Sequence, residues 1–382
     1  MTERLYYTDA YLREFDARVV EMADAGRRVY LDRTAFYPTS GGQLFDLGKL
    51  GGVAVTDVVD EEDRIAHLLA GPLSAESVRG EIDWERRYDL MQQHTGQHLL
   101  SAVFEELFGY KTVSVHMGTD NCTVDLAAAQ VSERQLAQAE IRCAEIVAEA
   151  RATQITFEDA AAGLRKESAR TGTLRVVSIN GVDRSACGGT HVRNSAEIGL
   201  VLTGKTEKIR NSTRVEFACG FRALRRARAD GQLLAAITQA LLLPAVHAPE
   251  QIAALQEQNK TLDKERGRLA TELAKREGRE LYVATESDAA GLRRALQRGA
   301  IDDAMRARAQ AFVQGERALF VAISENPPSV LFAASADAGV NAGERMKAAL
   351  AVGGGRGGGN PALAQGSVPD AAALEKVVAL LQ

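Results

Sequence analysis

The first ninety residues alternate between short apolar runs and turn formers. "RRVYLDRTAFYP", "GGVAVTDVVD" and "DRIAHLLAG" carry β-branched or alternating positions broken by Gly and Asp. That spacing predicts short strands closing into a small β-barrel or sandwich over residues 1–90. The period then changes. In "DWERRYDLMQQHTGQHLLSAVFEELFG", Leu90, His94, His98, Leu99, Val103 and Leu107 recur at helical spacing, which predicts a helix stopping at Gly109. An Ala/Glu-rich helix is expected over 131–152. "TLRVVSING", "GLVLTGKTEKI" and "STRVEFACG" return to strand character. Residues 91–232 thus read as a mixed α+β region. From Pro249 a heptad begins, with Ile252, Asn259, Arg266 and Leu273 at one core position and Leu255, Leu262 and Leu269 at the other. Two polar residues in that seam predict a helical arm over 233–279, either a hairpin or a weak dimer seam. In the last unit, 280–382, apolar runs "RALFVAIS" and "SVLFAAS" flank a turn at Pro327-Pro328. A helix at 342–351 and the glycine-rich loop "GGGRGGGN" follow, an α/β pattern.

Composition adds bounds. A chain of 382 residues predicts two or three domains. The N-terminus has no apolar signal region, and the stretch near "ALLLPAV" is too short to span a bilayer, so no membrane association is expected. Four scattered cysteines (Cys122, Cys143, Cys187, Cys219) fit a reducing cytoplasm better than a disulfide framework. The net charge of −5 argues against a generic polyanion binder. Yet Val201–Asp230 holds eight Lys/Arg against three acidic residues, a local patch that suits nucleic acid as well as it suits a solvated helix face.

The candidate chemistry lies in two short motifs. "QHTGQHLL" sets His94 and His98 at i and i+4, one face of a helix, where two imidazoles can share a metal ion. "CGGTHV" sets Cys187 and His191 four apart, across glycines that permit a tight turn. Three imidazoles and a thiolate suit Zn²⁺. A closed shell of four protein ligands is the pattern of structural zinc, whereas catalytic zinc keeps a position open. Both roles stay open, as does the reading of two unrelated pairs.

"HTGQHLL" followed by "CGGTHV" resembles the editing domain shared by alanyl- and threonyl-tRNA synthetases. "DRTAFYPTSGGQLFDLG" upstream resembles the alanyl type, with its Gly-Gly-Gln motif in a β-barrel. "IDWERRYDLMQQHTGQHLL" is similar to the free-standing alanyl-tRNA editing proteins of AlaX type. "GGGRGGGNPALAQGS" resembles the DHH-associated domain that ends alanyl-tRNA synthetases. The barrel begins near residue 1, leaving no room for an aminoacylation domain, so a long-form trans-editing protein is expected.

The resemblance implies hydrolysis of Ser-tRNA(Ala), and of Gly-tRNA(Ala), with one Zn²⁺ per chain on His94, His98, Cys187 and His191. It places Gly41, Gly42 and Gln43 at the pocket. Thr39 is the expected partner of the serine hydroxyl and Ser40 a second hydroxyl there, although both also suit the turn after Pro38. His116 is a candidate catalytic residue, or an ordinary strand histidine. Lys205, Lys208, Arg210 and Arg214 are expected on acceptor-stem phosphates, and Arg356 on phosphate within the glycine-rich loop. The family implies a homodimer through the C-terminal region. The alternative is a non-catalytic, zinc-containing tRNA-binding or synthetase-associated module. No Asp-His-His motif occurs, so phosphodiesterase activity is not expected.

Overall fold

The computed structural model describes residues 1–159, 162–166 and 172–382. They form two units, Met1–Ala236 and Ile237–Gln382, each mixed α+β.

The first unit opens with β1 (Glu3–Arg4), β2 (Glu14–Ala23), β3 (Arg28–Leu31), β4 (Arg33–Thr34), β5 (Gly48–Leu50), β6 (Val53–Glu61), β7 (Arg64–Leu69) and β8 (Ser77–Ile82). β1 pairs in parallel with β4. The other six pair in the order β2-β3-β7-β6-β5-β8, and β8 pairs back to β2, closing a ring. The period-two pattern explains the closure. Along β8, Val78, Gly80 and Ile82 are buried while Ser77, Arg79 and Glu81 are exposed. Phe15, Leu31, Phe36, Leu50 and Ile65 fill the ring.

Helix α1 (Trp84–Phe108) follows. The Asp83 side chain caps its start, accepting from the Arg86 amide at 3.2 Å, and Gly109 ends it at φ 70°. The sequence pattern suggests one buried stripe. Instead, every residue from Leu90 to Phe104 is buried, because sheets and loops surround the helix on all sides. Its polar side chains must therefore find protein partners, and those partners build the site. Arg87 shows the rule: fully buried, it forks onto both carboxylate oxygens of Asp46 and donates to the carbonyls of Ala10 and Ala35. Removing one member would strand a buried charge, at about 3–5 kcal/mol.

Next come β9 (Thr112–Met117), β10 (Cys122–Leu126), α2 (Glu133–Ala148), β11 (Thr153–Glu158), β12 (Leu174–Ile179), β13 (Asp183–Ala186), β14 (Val201–Ile209), β15 (Ser212–Cys219) and α3 (Gly220–Leu241). β14-β15-β10-β9 form one antiparallel sheet and β11-β12-β13 another. Ser132 and Gln135 form a capping box at the start of α2.

In the second unit, α4 (Ala248–Ala284) is one unbroken helix of 37 residues. The heptad leucines Leu255, Leu262 and Leu269 are exposed on it. Then β16 (Arg293–Arg298), α5 (Asp303–Phe312), β17 (Ala318–Glu325), β18 (Pro328–Ala334), α6 (Ala342–Gly353), β19 (Arg356–Gly359), β20 (Leu363–Ser367) and α7 (Ala371–Leu381) complete it. The sheet order is β16-β17-β18-β20-β19. The second half of the expected glycine-rich loop, Arg356–Gly359, is an edge strand, β19, paired with β20. Glycine is required there for close approach: a Cβ at Gly357 would sit 2.3 Å from the Gln365 carbonyl oxygen. Among the described residues, no single helix is long and apolar enough to cross a membrane.

Candidate metal centre and cavity

Three elements of the first unit converge. α1 supplies His94 and His98 one turn apart. The loop after β13 supplies Cys187 and His191, and the turn at residues 40–43 supplies Gln43. The four ligand atoms of His94, His98, Cys187 and His191 lie within 4.8 Å of one another. Cys187 Sγ is 3.4 Å from His94 Nε2 and 3.3 Å from His191 Nε2. Tetrahedral zinc with bonds of about 2.0–2.3 Å sets its donors roughly 3.5 Å apart, so these spacings fit one ion.

The outer partners support the same conclusion through the tautomers they impose. Gln43 is fully buried. Its Oε1 accepts from the Thr190 amide (3.1 Å), which fixes the side-chain orientation, and its Nε2 donates to Thr190 Oγ1 (2.8 Å). The same Oε1 lies 2.7 Å from His94 Nδ1, so His94 carries its proton there and turns a lone pair on Nε2 to the centre. Thr95 gives its only proton to the Met91 carbonyl (2.9 Å) and accepts from the Val192 amide (3.1 Å). It can then only accept from His191 Nδ1, at 3.1 Å. Asp183 holds His98 Nδ1 at 2.7 Å and is itself held by Arg165 and Ser185. Each imidazole thus has Nδ1 engaged by an outer partner, which leaves Nε2 for the centre, the arrangement of a second shell around a metal.

Charge follows the geometry. Burial alone would raise the Cys187 thiol, but His94 and His191 beside it hold it well below its usual value, and the Gly189 amide donates to its sulfur at 3.3 Å. Burial pushes His191 down to about 3, keeping it neutral. For His98 burial opposes the charge, yet the Asp183 carboxylate and the Cys187 sulfur raise it to about 9. Asp183 falls to about 2 against its own burial, chiefly through His98. Both members of that pair favour the ionised carboxylate. A bound cation would take the place of the His98 Nε2 proton.

The glycines of "CGGTHV" serve a different purpose from the expected turn. Neither has positive φ; a Cβ on Gly189 would sit 2.1 Å from His94 Cε1 and 2.9 Å from Gln43 Oε1. Glycine lets the loop press on the His94 ring. Gly41 and Gly42 are the positions that need the left-handed region, at φ 57° and 86°.

The centre lies at a cavity of about 700 Å³, whose lining includes His94, His98, Cys187, Tyr37, Ser40, Gly41, Ser114 and Arg175. That volume suits a small-molecule-sized group. Other expected residues fall elsewhere. Gln43 lies behind His94, with both ends of its amide engaged. Thr39 is exposed, its hydroxyl accepting from the Phe45 amide at 3.1 Å, and it is not part of the lining. Gly42 is likewise outside it. His116 is exposed on β9 and does not line the cavity. Arg214 is paired through two hydrogen bonds with Asp125 (2.7 and 3.0 Å), so its charge is already neutralised. Arg222, in the same basic segment, is buried against Asp89. Lys205, Lys208 and Arg210 remain exposed near the β14–β15 turn. Arg356 is exposed on β19 of the second unit. The sequence reading missed Thr95, Asp183 and Arg175. Thr95 sits inside "HTGQH" and Asp183 four residues before Cys187, so proximity to the motifs was the available signal.

Comparison with known proteins defines the class. Residues 174–215 match the family model described as the threonyl and alanyl tRNA synthetase second additional domain, and residues 250–382 match the DHHA1 domain. The chain is 36% identical over 241 residues to alanyl-tRNA editing protein AlaX-L of Pyrococcus horikoshii, covering 59% of each. It is 32% identical over 292 residues to alanyl-tRNA editing protein Aarsd1 of Rattus norvegicus, covering 70% of each. An alanine–tRNA ligase of Pyrococcus abyssi is 30% identical across the whole chain, which spans 44% of that enzyme. The chain belongs to the alanyl-tRNA editing proteins, in the long AlaX form.

Proposed function

We propose that this protein hydrolyses mischarged Ser-tRNA(Ala), and Gly-tRNA(Ala) by the same chemistry, after release from the synthetase. The observation that carries the reading is a His₃Cys ligand set, its three imidazoles buried and each held at Nδ1, beside a cavity of substrate-group size. His94, His98, Cys187 and His191 would hold Zn²⁺. When bound, zinc supplies Lewis acidity toward a carbonyl oxygen or a water. Gln43, Asp183 and Thr95 orient the imidazoles. Ser40 and Gly41, both in the cavity lining, present a hydroxyl and backbone to the aminoacyl group, and the Ser40 hydroxyl would recognise that of serine, sparing alanine. Water adds to the ester carbon, the carbon–oxygen bond to the ribose breaks, and the ribose oxygen takes a proton. Lys205, Lys208 and Arg210 would hold acceptor-stem phosphates without reading sequence. In this reading residues 1–90 act as a barrel presenting the Gly-Gly-Gln turn, 91–232 as the editing core and 233–279 as an arm. Residues 280–382 engage the body of the tRNA and form a homodimer. The protein works in the cytoplasm.

A second reading, a non-catalytic tRNA-binding module with structural zinc, is favoured by the four-ligand shell, which is complete without water. Purified protein incubated with Ser-, Gly- and Ala-tRNA(Ala) decides between them. Release of serine with alanine retained supports the deacylase; inertness toward all three with metal present refutes it.

A further inference from the structure

Among the described residues, four buried side-chain nitrogen or oxygen atoms lack a hydrogen-bond partner, and two of them, Tyr6 OH and Arg175 Nη2, belong to residues that line the cavity beside the candidate ligands. Unpartnered buried donors are rare and costly, so two on one wall call for a ligand. Tyr6 is completely buried and Arg175 is 8% exposed. Arg175 is firmly placed: Nη1 donates to the Cys187 carbonyl (2.6 Å), Nε to the Tyr7 carbonyl (3.1 Å), and the Cys187 amide donates back to the Arg175 carbonyl (3.0 Å). It makes no ion pair with a described carboxylate. A buried guanidinium with no carboxylate partner, bonded to the Cys187 carbonyl and keeping Nη2 unpartnered, is poised for an anionic oxygen that arrives with the substrate. Tyr6 stacks edge-on against Tyr7 and Tyr37, at 5.0 and 5.2 Å, which fixes its ring while its hydroxyl stays free.

The geometry points to Tyr6 and Arg175 as a paired donor site for an anionic oxygen of the substrate. Two sources share that chemistry: the ester carbonyl oxygen as it gains charge during hydrolysis, and a phosphodiester oxygen of the terminal nucleotide. The inference rests on the deacylase reading and deepens it.

Tyr6→Phe is the clean test, because the lost hydroxyl has no protein partner. Its zinc content should match wild type, and its Tm should be equal or higher. The kcat/KM for Ser-tRNA(Ala) should fall at least about tenfold, as for loss of one oxyanion donor. Arg175→Lys should fall at least as far. The double variant should lose less than the product of the two, since both groups serve one oxygen. A loss in kcat assigns the carbonyl oxygen. A rise in KM, with weaker binding of a non-hydrolysable 3′-serylamido-adenosine only when it carries a 5′-phosphate, assigns the phosphodiester. Unchanged kcat, KM and analogue affinity in both variants overturns the inference. Wild type that binds the analogue but hydrolyses no ester contradicts the deacylase reading alone, and the variants' analogue affinities then decide the site. Wild type that does neither overturns both.

Discussion

Gln43 separates two kinds of role. A residue acting on substrate and a residue orienting His94 look alike in an activity assay, but Gln43→Met tells them apart. Methionine matches the volume and removes the acceptor. The His94 Nδ1–H bond (2.7 Å) and the Thr190 amide bond (3.1 Å) are both lost, inside a fully buried site. An orphaned buried donor costs about 1–3 kcal/mol, so the pair costs roughly 2–6 kcal/mol before relaxation. Loss of an outer-shell partner typically weakens metal binding about 10–100-fold, or about 1.4–2.7 kcal/mol. Zinc affinity is measured by competition with a chromophoric chelator, alongside Tm and kcat at saturating zinc. The expected result is a lower Tm, affinity down by that factor, and kcat largely restored by excess zinc. Unchanged affinity and Tm with a collapsed kcat would refute the reasoning and put Gln43 on the substrate.

Four further outcomes follow from the same structure. Gly189→Ala drives a methyl group into the His94 ring at 2.1 Å, so the purified variant should carry well under one zinc per chain by elemental analysis; full zinc content contradicts the packing argument. His67, sealed in the ring between Thr34 and the Val29 carbonyl, is pushed down to about 4 by burial. Its contribution is complete above about pH 6.5 and disappears as pH falls toward 4, a loss of about 3 kcal/mol; denaturant titrations of wild type and His67→Gln should diverge across that window. Lys205→Ala and Lys208→Ala should each lower the salt dependence of tRNA binding by roughly one ion per contact, with Tm unchanged. Arg214→Ala should lower Tm by stranding Asp125, with the salt slope unaltered.

The four candidate ligands were legible because their spacing is local. His94 and His98 follow helix periodicity, and Cys187 and His191 share one short loop. The outer shell was not legible, because hydrogen bonds such as Gln43 to His94 join positions 51 residues apart. Periodicity also misjudged α1. A stripe of apolar residues describes a surface helix, whereas polar residues such as Gln92, Gln93 and Gln97 are buried by pairing. Local charge misled for a related reason: Arg214 and Arg222 look like phosphate contacts until Asp125 and Asp89 are found opposite them. Glycine content suggested a loop at 353–359, where at 356–359 the need was close backbone approach along an edge strand.

The central claim is a metal-centred ester hydrolase that distinguishes serine from alanine on tRNA(Ala). Its most direct test is the deacylation rate of Ser-tRNA(Ala) and Ala-tRNA(Ala) by the full chain, zinc-loaded and chelator-stripped. The account predicts rapid release of serine, retention of alanine, and loss of activity on stripping that returns with zinc. Equal rates on both substrates, or full activity in a stripped and folded protein, would contradict it.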